Sequence, residues 1–177
     1  ARAAKEVVET ITSEGGEAIN IQADVSKGSE VQKLVQKSID FFGDRIDVLV
    51  NNAGGLLERK PIMEVDEELW DECMDLNVKS VYLCCKAVVP VMEKHGGGKI
   101  VNISSIAARN GGGPGSVHYS TSKSAVMTFT KGLAKELIHS GITVNNVSPG
   151  LIDTPFHEKY TSKEMFENFK KGIPIGR

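Results

Sequence analysis

No long apolar run occurs in this sequence, and no charge of one sign is in excess. The longest hydrophobic stretches fall well short of the ~20 residues that a membrane-spanning helix needs. The opening Ala1-Arg2-Ala3-Ala4-Lys5-Glu6 is followed by no apolar core of the signal-peptide kind. Lys and Arg number 21 against 23 Asp and Glu, a formal net charge of −2. That balance gives no reason to expect a nucleic-acid or anionic-membrane partner. Cysteine is scarce too: Cys73, Cys84 and Cys85 are an odd number without metal-ligand spacing. They read as core-filling thiols of a reducing compartment, so a cytoplasmic location is expected. His95, His118, His139 and His157 are scattered, read as surface residues, and point to no metal site. Trp70 reads as a core or interface residue.

What remains is an ordinary globular composition, 40% hydrophobic and 25% charged over 177 residues. That length suits one domain, 1–177, with a sizeable core. Residues 1–14 read as a helix with Val7, Val8 and Ile11 on one face, stopped by Gly15-Gly16. A short strand is expected over Glu17–Ala23. Ser26 is expected to cap a helix reaching about Phe42, with Gly43 as its stop. Ile46–Val50, Lys99–Ile103 and Ile142–Val147 are near-continuous apolar runs, the pattern of strands in a covered parallel sheet. A long helix runs from Asp66 to about Lys94, with Pro90 in its last turns. Another follows the Gly-rich loop 110–115 and carries on to about Ser140. From Pro149 onward the chain reads as loop, apart from a weak amphipathic helix over Lys163–Lys171. Strands and helices alternate throughout, which predicts an α/β fold: a doubly wound parallel sheet with helices on both faces. The chain opens on a helix and closes on Ile173-Pro174-Ile175-Gly176-Arg177, so the fold is expected to be incomplete at both ends.

In such a sheet, ligands bind beyond the carboxyl ends of the strands. Small polar residues and glycines crowd those positions here: Asp24-Val25, Asn51-Asn52-Ala53-Gly54, Ser104-Ser105 and Ser148-Pro149-Gly150. Tyr119-Ser120-Thr121-Ser122-Lys123 adds a phenol and an ammonium one helical turn apart, on one face. A lysine there can favour the phenolate, so that the tyrosine serves as acid or base. Strand-to-helix turns favour Gly, Asn and Ser in any case; four such edges together with the Tyr–Lys pair ask for more.

In order and spacing, Asn51-Asn52-Ala53-Gly54, Leu76-Asn77-Val78, Ile103-Ser104-Ser105, Tyr119-x-x-x-Lys123 and Pro149-Gly150 resemble the motif series of the classical short-chain dehydrogenase/reductase family. Among its members the chain is most like 3-oxoacyl-carrier-protein reductases and glucose dehydrogenases. The resemblance implies a Rossmann-type sheet and hydride transfer between NAD or NADP and a secondary alcohol or ketone. It implies Tyr119 as catalytic acid/base and Lys123 as the cation that lowers its pKa and bonds the nicotinamide ribose. Ser105, with Ser104 beside it, would orient the substrate oxygen. Asn77 would kink its helix and hold a water that relays protons to Lys123. Asp24 and Val25 would meet the adenine; Asn51, Ala53 and Gly54 would line the cofactor; Pro149, Gly150, Ile152 and Thr154 would cover the carboxamide side. Leu151–Ile175 would form a lid over the substrate, and a homotetramer is implied by analogy. Three family features have no counterpart in these residues: the Gly-rich phosphate loop, the residue selecting NAD or NADP, and the last helix and strand. A truncated or degenerate binding or assembly protein is therefore the rival reading. A hydrolase using Ser105 is not supported, because no histidine follows in nucleophile-elbow order.

Overall fold

The computed structural model describes residues 2–175; Ala1, Gly176 and Arg177 of the predicted terminal segments lie outside the described residues. Three parallel strands, β1 (Val48–Asn51), β2 (Gly98–Ile103) and β3 (Ile142–Val147), lie side by side in that order. Asn51, Asn102 and Asn146 share one row across them, and Leu49, Ile100 and Val144 another. Two helical crossovers join the strands. The first runs through α3 (Glu67–Met74), a π-turn (Asp75–Lys79) and α4 (Ser80–Lys94); the second through α5 (Ala107–Asn110) and α6 (Val117–Glu136).

The core forms where α4 and α6 cover one face of the sheet. Val81, Cys85, Val88 and Met92 of α4 meet Ile100, Ile142, Val144 and Val126 there. On the other face Val48, Val50 and Val147 stay about half exposed. All three cysteines are buried, and burial pushes the Cys85 thiol up to about 12.

The alternating order of elements and the parallel sheet are as expected; several local features differ. Residues 17–23 form no strand, since no neighbouring strand is present to complete a ladder with them. In α1 (Arg2–Ser13) no residue is buried, and Val7 and Ile11 remain 58% and 38% exposed despite their shared face. Ser26 does not cap α2 (Gly28–Phe42). Both its N–H and its hydroxyl donate to the Asp24 carboxylate, at 3.0 and 2.6 Å, and Lys27 takes the cap position. Asp66 does cap α3, accepting the Leu69 N–H at 2.8 Å. The helix continues through Pro90 to Lys94. Within the stretch expected as loop, Pro155–Tyr160 forms α7, started by a proline in its first turn; α8 occupies Lys163–Lys171 as expected. Among the described residues no helix is long and apolar enough to cross a membrane.

Candidate active site

The carboxyl ends of the strands, the π-turn and the first turns of α6 converge on one place. Ser104 and Lys123 bind β2 to α6 in both directions. The Ser104 hydroxyl donates to the Lys123 carbonyl at 2.8 Å, and Lys123 Nζ donates to the Ile103 carbonyl at 3.0 Å. The Ser104 hydroxyl is thereby spent on the scaffold. Ser105 is half-buried and accepts the Ala107 N–H at 3.1 Å, and its hydroxyl pulls the pKa of the nearby Tyr119 phenol down.

Lys123 is 4% exposed, and burial depresses its ammonium from 10.5 to about 8. Burial also raises the Tyr119 phenol above its ordinary value, against the pull of the nearby Ser105 hydroxyl; the charge of Lys123 does not lower it as expected. The geometry supplies the reason. The ammonium points at the Ile103 carbonyl and lies 5.9 Å from the centre of the tyrosine ring, so its field is spent elsewhere than on the phenol oxygen.

Asn77 sits at the centre of the π-turn, where the Ser80 N–H reaches back five residues to the Asp75 carbonyl. The widened turn brings its fully buried amide inward. Asn77 Oδ1 accepts the Gly55 N–H at 3.0 Å, and Nδ2 donates to the Gly55 and Cys73 carbonyls, both at 2.9 Å. Gly54 lies against this group so closely that a Cβ there would stand 2.6 Å from Asn77 Oδ1 and 2.8 Å from Lys123 Nζ. Three hydrogen bonds hold Asn77, so it cannot yield. Gly54→Ala is therefore expected to displace the Lys123 ammonium and lower kcat/KM by about tenfold to a hundredfold, a loss of the size that small misplacements produce. Steady-state kinetics beside a melting curve would check it, and unchanged kinetics would refute the contact.

Of the residues expected to hold a cofactor, Ala53, Gly54, Gly150, Ile152 and Thr154 are exposed along this edge, and Pro149 is half-buried beside them. The Ile106 N–H donates to the Pro149 carbonyl at 2.9 Å, joining the turns after β2 and β3. Asn51 differs. Its amide turns into the sheet and donates to Asn102 Oδ1 at 2.8 Å; Asn102 in turn donates to Thr130 Oγ1 at 2.9 Å. This buried chain locks β1, β2 and α6 together, so the Asn51 side chain is not free to face a ligand. Asp24 stays exposed, and its bonds to Ser26 and the Lys27 ammonium hold its carboxyl down to about 2. Val25 beside it is half-buried.

Three residues here escaped the sequence reading. Asn102 could have been found from the asparagines that each apolar run carries near its end. His118 is not a surface histidine: it is fully buried, and Nε2 lies 3.1 and 3.0 Å from the Leu56 and Glu58 carbonyls. The buried stripe of α6 is His118, Ser122, Val126 and Thr130, evenly four apart, but mostly polar and so invisible to a search for apolar periodicity. Arg59 joins three loops, donating to the Tyr160 carbonyl at 2.9 Å and the Pro114 carbonyl at 2.5 Å. Phe156 of α7 brings its ring to within 6.0 Å of the Tyr119 ring and 5.0 Å of the Tyr160 ring, an aromatic cluster beside the phenol.

Residues 1–165 match the sequence model of the family described as short chain dehydrogenase. A 3-oxoacyl-[acyl-carrier-protein] reductase from Synechocystis is 43% identical over 175 residues, covering 99% of this chain and 68% of the relative. Among solved structures, an NADH-dependent reductase responsible for alginate metabolism superposes with a TM-score of 0.86 at 32% identity, over 98% of this chain and 68% of that one. NAD+-bound xylitol dehydrogenase superposes with a TM-score of 0.89 at 26% identity, over 99% of this chain and 73% of that one.

Proposed function

Because the chain belongs to the short chain dehydrogenase family, we propose that it is the catalytic part of an NAD(P)-dependent oxidoreductase acting on a secondary alcohol or ketone through Ser105, Tyr119, Lys123 and Asn77. The observation that carries the reading is the gathering of Ser105, at the end of β2, and Tyr119, on α6, at one edge of the sheet, with the buried Lys123 ammonium 5.9 Å and the Phe156 ring 6.0 Å from the tyrosine ring. Two hydroxyls converging on one point can bind one substrate oxygen. That is what carbonyl reduction needs without a metal, since the developing alkoxide must be stabilised and then protonated.

Ser105 donates to the substrate oxygen and orients it. Tyr119, kept protonated at neutral pH by burial, gives its proton to the alkoxide. Lys123 would hold the nicotinamide ribose beside the phenol, and Asn77 fixes the Gly54–Gly55 backbone next to that ammonium. Bound nicotinamide supplies or accepts the hydride. The edge fits that ring: Ala53, Gly54 and Gly150 offer exposed backbone without bulky side chains, and Pro149, Ile152 and Thr154 complete the wall. Asp24 and Val25 would take the adenine end, and Asn51 would contribute backbone only.

The 43% identity to an enzyme named for 3-oxoacyl thioesters, with the apolar Phe156 and Tyr160 in the lid, favours a 3-oxoacyl thioester over a sugar or small cyclic alcohol. The free, buried thiols suit a reducing, cytoplasmic setting. Pairing of subunits through α4 and α6 into a homotetramer completes the reading.

The test is Ser105→Ala in the full-length protein, assayed with a 3-oxoacyl thioester and either reduced dinucleotide. A fall in kcat of about 10²–10³ is expected, the size that loss of one oxyanion donor causes. Dinucleotide binding, followed by nicotinamide fluorescence, should stay within about twofold because Ser105 bonds the substrate rather than the dinucleotide. A wild-type protein that neither binds nor turns over any dinucleotide would end the proposal and favour the non-catalytic rival.

A further inference from the structure

His118 sits deeper in the site than its place in the sequence suggests. It precedes Tyr119 on α6 and is fully buried. Both groups facing Nε2 are carbonyl oxygens, so the ring must carry its proton there, shared between Leu56 and Glu58 at 3.1 and 3.0 Å. Nδ1 is buried and has no hydrogen-bond partner among the described residues.

The loop it holds is under strain. Leu57 has φ 66°, the only non-glycine residue with positive φ among the described residues, and the Glu58 N–H closes a three-residue turn onto the Leu56 carbonyl at 2.9 Å. Such a conformation persists only where its surroundings over-determine it. Two side chains do so. Asn77 captures both backbone groups of Gly55, and His118 captures the carbonyls on either side of Leu57. Leu56, 1% exposed, plugs the core between them.

Both directions along this loop lead to the site. Toward its start, Gly54 stands against Asn77 Oδ1 and Lys123 Nζ. Toward its end, Arg59 holds the Tyr160 carbonyl of the lid, and the Lys60 N–H donates to the Gly115 carbonyl at 3.0 Å.

Resting on the oxidoreductase reading above, we propose that His118 is a positioning residue: by sharing one proton between the Leu56 and Glu58 carbonyls, it sets the strained turn that registers Gly54 against Lys123 and the lid over Tyr119. It touches neither substrate nor cofactor. A residue that merely filled space could be replaced by leucine; one that acts through its N–H could not.

Three variants of the full-length protein separate these roles. His118→Leu keeps volume and loses the donor. His118→Gln keeps an N–H near the position of Nε2. His118→Asn is polar but too short to reach both carbonyls, and serves where the leucine variant does not fold. The leucine and asparagine variants should lose about tenfold to a hundredfold in kcat, as misplacement of reacting groups does, and the Gly55 and Glu58 amides should exchange with solvent faster. The glutamine variant should recover both. The proposal is overturned if those amides keep wild-type protection in His118→Leu or His118→Asn, or if glutamine rescues no better than leucine. Amide exchange needs no turnover, so failure of the oxidoreductase reading, seen as an inactive wild type, leaves the proposal separately testable.

Discussion

Lys123→Met is expected to abolish measurable turnover and, at the same time, to make the protein harder to melt. The activity loss follows from the proposed role of Lys123 in holding the nicotinamide ribose beside Tyr119, and should reach about 10²–10³ or more in kcat. The stability gain follows from where that ammonium lies. Lys123 is 4% exposed and has no carboxylate partner among the described residues, and burial brings its pKa from 10.5 to about 8. Holding it charged in the folded state at neutral pH therefore costs about 3 kcal/mol. Methionine fills similar volume without the charge, and leaves the Ile103 carbonyl without its 3.0 Å bond, a loss of about 1–2 kcal/mol. The net gain is about 1–2 kcal/mol, a few degrees in Tm.

The sign with pH is definite. The folded pKa lies below the unfolded one, so between about 8 and 10.5 the unfolded chain binds the extra proton and the folded state gains as pH rises. The advantage of the methionine variant should be full below pH 8, disappear between 8 and 10.5 and reverse near 10.5, where only the lost Ile103 bond remains. The raised cysteine and tyrosine groups act in the opposite sense but are common to both proteins and cancel in the difference. Paired denaturant titrations across that range decide it. A variant less stable than wild type at pH 7, or a difference independent of pH, would mean that the buried charge is compensated.

Tyr119→Phe should reduce turnover by about 10²–10⁴, the contribution of a positioned proton donor, while leaving the fold nearly untouched. Only the hydroxyl is lost. The ring keeps its place beside Phe156, 6.0 Å away, and Ser105 keeps its bond from the Ala107 N–H at 3.1 Å. The pH profile of the wild type follows from the same burial. With the phenol raised above its ordinary value, carbonyl reduction should hold a plateau through neutral pH and fall only on the alkaline side. Alcohol oxidation, which needs the phenolate, should climb with pH over the same range. A phenylalanine variant retaining a tenth or more of wild-type turnover would remove Tyr119 from the chemistry and leave Ser105 to be considered alone.

Both predictions draw on features of different legibility. The pairing of Tyr119 with Lys123 follows from helical spacing, and the three strands follow from apolar, β-branched runs that only a buried sheet accommodates; β3 has the predicted bounds, Ile142–Val147. The weak amphipathic pattern over Lys163–Lys171 corresponds to α8. What local pattern reports is how a segment meets water on one side and apolar neighbours on the other, and these segments depend on little else. Glu17–Ala23 failed as a strand because alternation says nothing about whether a partner strand lies alongside.

The site divides in the same way. Sequence alone determined which side chains stand at the carboxyl ends of the strands, and that a phenol and an ammonium share a helical face, because both depend on chain order and on helical or strand period. Tertiary structure decided the rest. It turned the Asn51 amide inward, aimed the Lys123 ammonium at the Ile103 carbonyl rather than the phenol, and buried His118 against two carbonyls fifty or more positions away in the chain. Those outcomes hang on desolvation and on hydrogen bonds between distant segments. Neither exists until the segments have packed.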